Sequence, residues 1–411
     1  MALLVSAKGS DVLAWRACGD FAATFRQLLL ARLEFCRADE AEALLLGTEQ
    51  ALDELIAAND DFSSRSRDLI GEASVCAELS RLRGLTAAFY AGLYAHIAIH
   101  RSAPAFYEYS MLFLQALSAS VCRHAHASLG PLDRQMPQVK LIAVGPAGRQ
   151  EFSPFCPLHL VLVHGEAGEA EREMLSQLGR LIHEGFEACG LLVDGTVTPR
   201  NHEWRGSMSE WRQRLVKRLG QGRANDLIDF FRLSDQSTLY HDTGFDAGFR
   251  GLCRSLLKER RSVMAFQVTR VLNLSHGLGI IGGMRFVKKG PYRGRFALRD
   301  HALQPFAAAI SVLAQLKGLD TPSSPQRIRE ILWRRELNVD MAERLLQAWH
   351  ALHELRLTRE RDVQPDWSNE APLHLNVEEM PDSEQDLLRE SLETVGAIQR
   401  HIGQTFSGME G

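Results

Sequence analysis

Gly145, Gly148 and Arg149 lie between two apolar runs in the stretch LIAVGPAGRQEFSPFCPLHLVLV, Leu141 to Val163. Glycines there permit positive φ and close backbone approach, so that amides can converge on a phosphate. Arg149 would add a two-pronged contact to the same group. Pro146 works against this, because it carries neither an amide hydrogen nor a hydroxyl. Nucleotidyl transfer on such a turn would also need carboxylates on the second strand to hold Mg²⁺. Pro157 and His159 stand where those carboxylates should be. Proline supplies no ligand, and neutral imidazole suits zinc or copper better than Mg²⁺.

Two strands must hold this turn, and the flanking pattern provides them. Strands are predicted at Val139–Val144, Leu158–Val163 and Leu191–Thr198, with an amphipathic helix over Glu169–Cys189 between the last two. Before the sheet the spacing is helical. Phe25, Leu28, Leu29 and Leu33 begin it, Ala41–Ala57 continues it, and a longer run covers Arg65 to about His96. Tyr107–His126 is apolar nearly all round, which predicts a buried helix. After Pro199 the pattern is helical to the end, apart from a glycine-rich stretch at Gly277–Gly294 and an exposed loop at Val363–Asn376. The expected fold is α+β and mostly helical. A helical region (1–130) precedes a small α/β domain (131–205) and a C-terminal helical-bundle domain (206–411).

The 411 residues carry a net charge of −4, which gives no general attraction to nucleic acid or anionic membranes. Seven scattered cysteines without a C-x-x-C pair read as buried reduced thiols. Met1–Lys8 has no basic segment ahead of its apolar run, and no stretch is long enough to span a bilayer, so a cytoplasmic location is expected. His96 and His100 share a helical face but lack the glutamate of an H-E-x-x-H zinc motif. Lys288, Lys289, Arg293 and Arg295 form a basic cluster in the glycine-rich stretch, suited to a phosphate or an acidic partner. Trp204 and Trp211 are expected to pack against the sheet.

The turn resembles the DUF294 nucleotidyltransferase family, related to the N-terminal domain of GlnD-like PII-uridylyltransferases. That family runs G-S-x-G-R-x-E, a spacer, then D-x-D and an apolar strand. Here Gly145-Pro146-Ala147-Gly148-Arg149-Gln150-Glu151 is followed by Ser153–Cys156, Pro157-Leu158-His159 and Leu160–Val163. Asn201 to Arg205, with Ser207, Glu210 and Trp211, resembles the family's N-x-E-W-R-x-S-x-x-E-W segment. Asn273–Arg299 resembles the glycine-rich segment of its substrate-binding domain, and Thr321–Ile328 a T-x-x-x-R-[LI] element. The likeness covers roughly residues 20 to 405. The polar positions drift: Phe230-Phe231-Arg232-Leu233-Ser234 replaces F-F-D-x-R, Arg299 stands for a lysine, and Ser311 for an arginine.

The resemblance implies a polymerase-beta-like mixed sheet flanked by helices. It also implies a degenerate transferase scaffold, serving as a non-catalytic regulatory or nucleotide- and partner-binding module in signalling. Two alternatives are an active nucleotidyltransferase using relocated carboxylates and a purely structural interaction scaffold. Gly145, Gly148, Arg149, Lys288, Arg293 and Arg299 are the candidate nucleotide contacts. No metal site is expected, and Mg²⁺ would bind only at a site rebuilt from Glu151, Glu166 or Asp194. A nucleotide and a protein are the expected partners, with no membrane and no specific nucleic acid.

Overall fold

The computed structural model describes residues 61–100, 102–130, 136–279 and 282–408. The helical pattern read at Phe25–Ala57 lies outside them, as do Cys18 and Cys36. The long run expected from Arg65 is two helices, α1 (61–75) and α2 (Leu79–His100). The buried helix expected at Tyr107–His126 is α3 (Ala103–Ser128). Ser102 caps it by accepting from the Ala105 amide, and Pro104 sits in the first turn.

A mixed sheet of four strands follows. β1 (Val139–Val144), β2 (His159–His164), β3 (Arg205–Ser207) and β4 (Gln236–His241) are ordered β3-β2-β1-β4. β1 runs antiparallel to both β2 and β4, whereas β2 and β3 are parallel across the crossover helix α4 (Glu169–Ala188). β1 has its predicted bounds, and β2 starts one residue later than predicted. The third predicted strand, Leu191–Thr198, does not form. It makes a single bridge, Val193 to Leu158. Asp194 Oδ1 accepts the amides of Thr196 at 2.8 Å and Val197 at 2.6 Å, an Asx turn that takes those donors away from a ladder.

β3 and β4 complete the sheet from a stretch read as helical. β4 lies beyond residue 205, so the sheet is not contained in 131–205 as expected. Alternation along the inner strands feeds two cores. Leu141, Ala143, Leu160 and Leu162 face the core shared with α3 and α4. Ile142, Val144, Val161 and Val163 face a second core, built with α5 (Met208–Gln221), α6 (Ala224–Arg232) and α7 (Phe249–Lys258).

Trp204 and Trp211 belong to that second core, as expected from the sequence. Ser207 and Glu210 form a capping box at the start of α5. The Arg214 guanidinium lies 4.7 Å from the Trp211 ring and donates to the Glu203 carbonyl at 2.8 Å. The E-W-R-x-S-x-x-E-W segment is thus a strand-to-helix joint.

The remaining helices are α8 (Arg261–Asn273), α9 (Gln304–Leu316), α10 (Ser324–Trp333), α11 (Val339–Arg361) and α12 (Asp382–Gly408). α8, α9 and α11 pack along α12, and α11 also touches α2 and α3. Two short strands, β5 (Phe296–Ala297) and β6 (His374–Leu375), pair beside them. The segment Val363–Asn376, expected as an exposed loop, is in part packed. Trp367 meets Phe155 edge-on at 5.2 Å, and Leu373 and Leu375 are buried.

Cys122, Cys189 and Cys253 are buried free thiols, whereas Cys76 and Cys156 are half-buried. Among the described residues no helix is long and apolar enough to cross a membrane. Trp211 is fully buried under the sheet against Phe249. Trp211→Ala is therefore expected to lower stability by about 3–5 kcal/mol in urea unfolding. A change below ~1 kcal/mol would contradict its place in the second core.

Candidate functional site

Val144 pairs with His159, so the chain leaves the sheet after β1 and returns at the same level. The intervening segment is not a tight hairpin. Gly145–Gly148 forms a single helical turn, and a longer loop then leads to β2. The amide of Arg149 donates to the Gly145 carbonyl at 2.9 Å and that of Glu151 to Pro146 at 2.8 Å. These amides close the turn and are not available to an anion.

The two glycines have different duties. Gly145 has φ of 65°, and a Cβ there would sit 2.9 Å from His159 Nδ1. It keeps the imidazole and the turn in contact at the cleft floor. Gly148 faces the other way, and a Cβ on it would fall 2.0 Å from the Asp235 carbonyl oxygen. Its own carbonyl accepts from Ser237 at 2.9 Å. Gly148 therefore presses the turn onto the start of β4 and does not line the cleft, contrary to its expected role as a phosphate contact.

Arg149 is likewise committed inside the protein. Its guanidinium donates to Glu151 at 2.9 Å and to Asp235 at 3.1 Å. Asp235 also receives Arg327 of α10 at 2.8 Å and the Ser311 hydroxyl of α9 at 2.9 Å. Glu151 takes further hydrogen bonds from Ser324 at 2.5 Å and from the Trp349 indole at 3.1 Å. A neighbouring cluster joins α11 to the loop. Arg356 donates to Glu360 at 2.6 Å and to the Cys156 sulfur at 3.1 Å, while Tyr94 of α2 donates to Glu360 at 2.8 Å.

Above this layer is an open cleft of about 380 Å³. Its sheet side presents Gly145, Pro146, Arg149, Pro157 and His159. Its helical side presents Arg232, Arg270, Arg299 and Arg356, with apolar contributions from Ile228, Phe231 and Leu303. Of the residues singled out in the sequence, Gly145, Arg149, Pro157, His159 and Arg299 meet here. Lys288 and Arg293 do not; they are exposed on the glycine-rich stretch, away from the cleft lining.

Arg232 stands out in the sequence only as the loss of an aspartate, and Arg270 not at all. Arg232 reaches Asp229 at 3.2 Å. Arg270 makes no ion pair among the described residues and lies 6.0 Å from the Phe231 ring. Burial, and then the nearby Arg232 charge, push its pKa below the ordinary value. Nothing in the local sequence of α8 marks Arg270, because only the fold brings it to the cleft. Arg299 is half-exposed, 3.4 Å from Asp300 and 3.6 Å from Glu370.

The residues present do not fit Mg²⁺. Pro157 has no side-chain ligand atom. His159 holds Asp194, Nε2 to Oδ2 at 3.3 Å, and its buried Nδ1 has no hydrogen-bond partner among the described residues. The acids that could have rebuilt a site are each engaged elsewhere. Glu151 sits in its buried network, Asp194 caps its turn, and Glu166 accepts from Ser207 at 3.1 Å and Ser209 at 3.0 Å. Among the described residues no three His, Cys, Asp or Glu side chains converge as metal ligands.

Burial alone would raise the Glu151 carboxyl, but Arg149, His353 and the Ser324 and Trp349 hydrogen bonds outweigh it and hold it at about 2. Burial pushes His353 down to about 3; its Nδ1 pairs with the Tyr107 hydroxyl at 2.7 Å. Both folded values lie below the unfolded ones, so both groups stabilise at neutral pH and lose that contribution on acidification. The loss runs from 6.5 towards 3 for His353 and from 4.5 towards 2 for Glu151. His353→Gln is expected to flatten the stability-versus-pH slope between about pH 6 and 4 by about one proton, ~1.4 kcal/mol per pH unit. Glu151→Gln should cost about 3–5 kcal/mol at neutral pH and flatten the curve only below about pH 4.5. Urea midpoints across pH measure both, and unchanged slopes would contradict the buried network.

Two family matches bracket this cleft. The family described as "Putative nucleotidyltransferase DUF294" matches residues 93–224, which include β1, the turn and β2. The one described as "Putative nucleotidyltransferase substrate binding domain" matches residues 261–406, which include Arg270, Arg299 and Arg356. Comparison with curated proteins gives no match. With one of these matches on each side of the cleft, the chain belongs to the DUF294 family.

Proposed function

We propose that the cleft holds the phosphates of a nucleotide on arginines, without Mg²⁺, and that the protein is a regulatory module in the cytoplasm and not a transferase. One observation carries this reading: every carboxylate in the cleft is neutralised, while the helical wall keeps a cation without a carboxylate partner among the described residues. Glu151 and Asp235 are locked by Arg149, Arg327 and serine hydroxyls. Arg270 points its charge into the same space. Three arginines from separate elements suit an anion with several phosphates, since guanidinium groups match phosphate oxygens in pairs.

The dimensions agree with a nucleotide. A cleft of about 380 Å³ falls in the range of small-ligand pockets, ~300–1,000 Å³. Ile228, Phe231 and Leu303 offer apolar surface to a base, beside the polar groups that would fix the phosphates. Without ligands for a metal, the main electrostatic contribution to nucleotidyl transfer is missing, a matter of several kcal/mol in the transition state. Binding without turnover would let nucleotide state be read through the elements that meet at the cleft.

Arg270→Gln is expected to weaken nucleotide triphosphate binding about tenfold, the loss of one charge-assisted contact. Incubation with α-labelled triphosphates and Mg²⁺ or Mn²⁺ should leave no label on lysate proteins. Transfer of label, or an Arg270→Gln variant that binds as tightly as the wild type, would overturn the reading.

A further inference from the structure

From Ser275 to Arg299 the chain contains no aspartate or glutamate. Within that span Arg285, Lys288, Lys289, Arg293 and Arg295 are all exposed. None of the five makes an ion pair among the described residues. Exposed cations such as those of Arg180–Glu184, Arg254–Asp320 and Arg334–Glu330 are, by contrast, neutralised. Five unneutralised charges within eleven positions are a concentrated field on a chain whose net charge is −4.

Backbone hydrogen bonds hold residues 287–295 in one arrangement, which limits the entropy that docking would cost. The Val287 amide donates to the Arg295 carbonyl at 2.8 Å, and the Gly294 amide to Val287 at 2.9 Å. Gly290 and Gly294, with φ of 85° and 80°, make the bends of this hairpin. Tyr292 stacks on His374 with ring centroids 3.9 Å apart. His374 pairs with Ala297 and directly follows Leu373 of the cleft wall. The hairpin is therefore anchored at the cleft rim with its cations turned to solvent.

We propose that the hairpin at 285–295 is the docking surface for an acidic segment of a protein partner. Three of its five cations are arginines, whose guanidinium groups bind carboxylates in a two-pronged geometry. Phe286 is 41% exposed and gives an apolar contact within the charged patch. A short acidic segment matches a patch of this extent. A long nucleic-acid backbone extends beyond it, and a chain of net charge −4 offers that backbone no general attraction. Docking here does not require a nucleotide in the cleft.

Fluorescence anisotropy with a labelled polyglutamate peptide, at low salt and without nucleotide, tests this. The wild type is expected to bind, and the binding to fall as salt is raised. The triple variant Lys288→Glu, Lys289→Glu, Arg293→Glu should lose about tenfold or more in affinity with an unchanged melting temperature. Reversal of two exposed cations on α5, Arg212→Glu with Lys217→Glu, should leave binding intact. Absence of peptide binding, an equal loss in the α5 variant, or tighter binding of a labelled single-stranded oligonucleotide would each overturn the proposal.

Discussion

Asp235 carries a buried negative charge that two arginines and a serine hydroxyl, from three elements, satisfy together. Arg149 reaches it from the turn after β1, Arg327 from α10 and Ser311 from α9. A buried charge is costly unless it is paired and fully hydrogen-bonded, by several kcal/mol per ion. The carboxylate therefore fixes where the turn, the start of β4 and two helices must lie. Glu151 repeats the device one layer away with Ser324 and Trp349, and Glu360 does so with Arg356 and Tyr94. These ionic contacts tie the helices to the sheet alongside the apolar packing, and the cleft is the space left above them.

This arrangement changes the meaning of the glycine turn. Its glycines and arginine have the spacing of a phosphate cradle, yet Gly148 and Arg149 face inward to serve Asp235. Under the proposed function, phosphate affinity has passed to arginines on the opposite wall. Pro157 and His159 are then consistent with the rest of the cleft. With Asp194 held by His159 and the other acids bonded internally, the floor offers no converging carboxylates to a divalent cation among the described residues. The helical wall offers positive charge in its place.

Much of the scaffold was legible in the sequence. β1, β2, α3 and α4 are long or strongly patterned, so their apolar spacing determines them. Leu191–Thr198 misled because its apolar residues suggest a strand, whereas the Asp194 side chain captures the amides that a ladder would need. β4 was missed because Gln236, Ser237, Thr238 and His241 dilute its alternation. Its clearest signal was the Asp242-Thr243-Gly244 turn that follows it. The cleft cations were harder still. Arg232, Arg270 and Arg299 come from three elements, and no spacing rule links residues that only tertiary packing brings together. Lys288 and Arg293, conspicuous as cations within the glycine-rich stretch, sit on the neighbouring hairpin.

Binding of a nucleotide on protein cations, with no metal bridge, is the central claim about this cleft. Calorimetric titration of the protein with a nucleotide triphosphate, once in Mg²⁺ and once in excess chelator, tests it most directly. Binding equal or tighter in chelator is expected, because the phosphate charge is then wholly available to the arginines. Binding that appears only with Mg²⁺, or no binding in either condition, would contradict it.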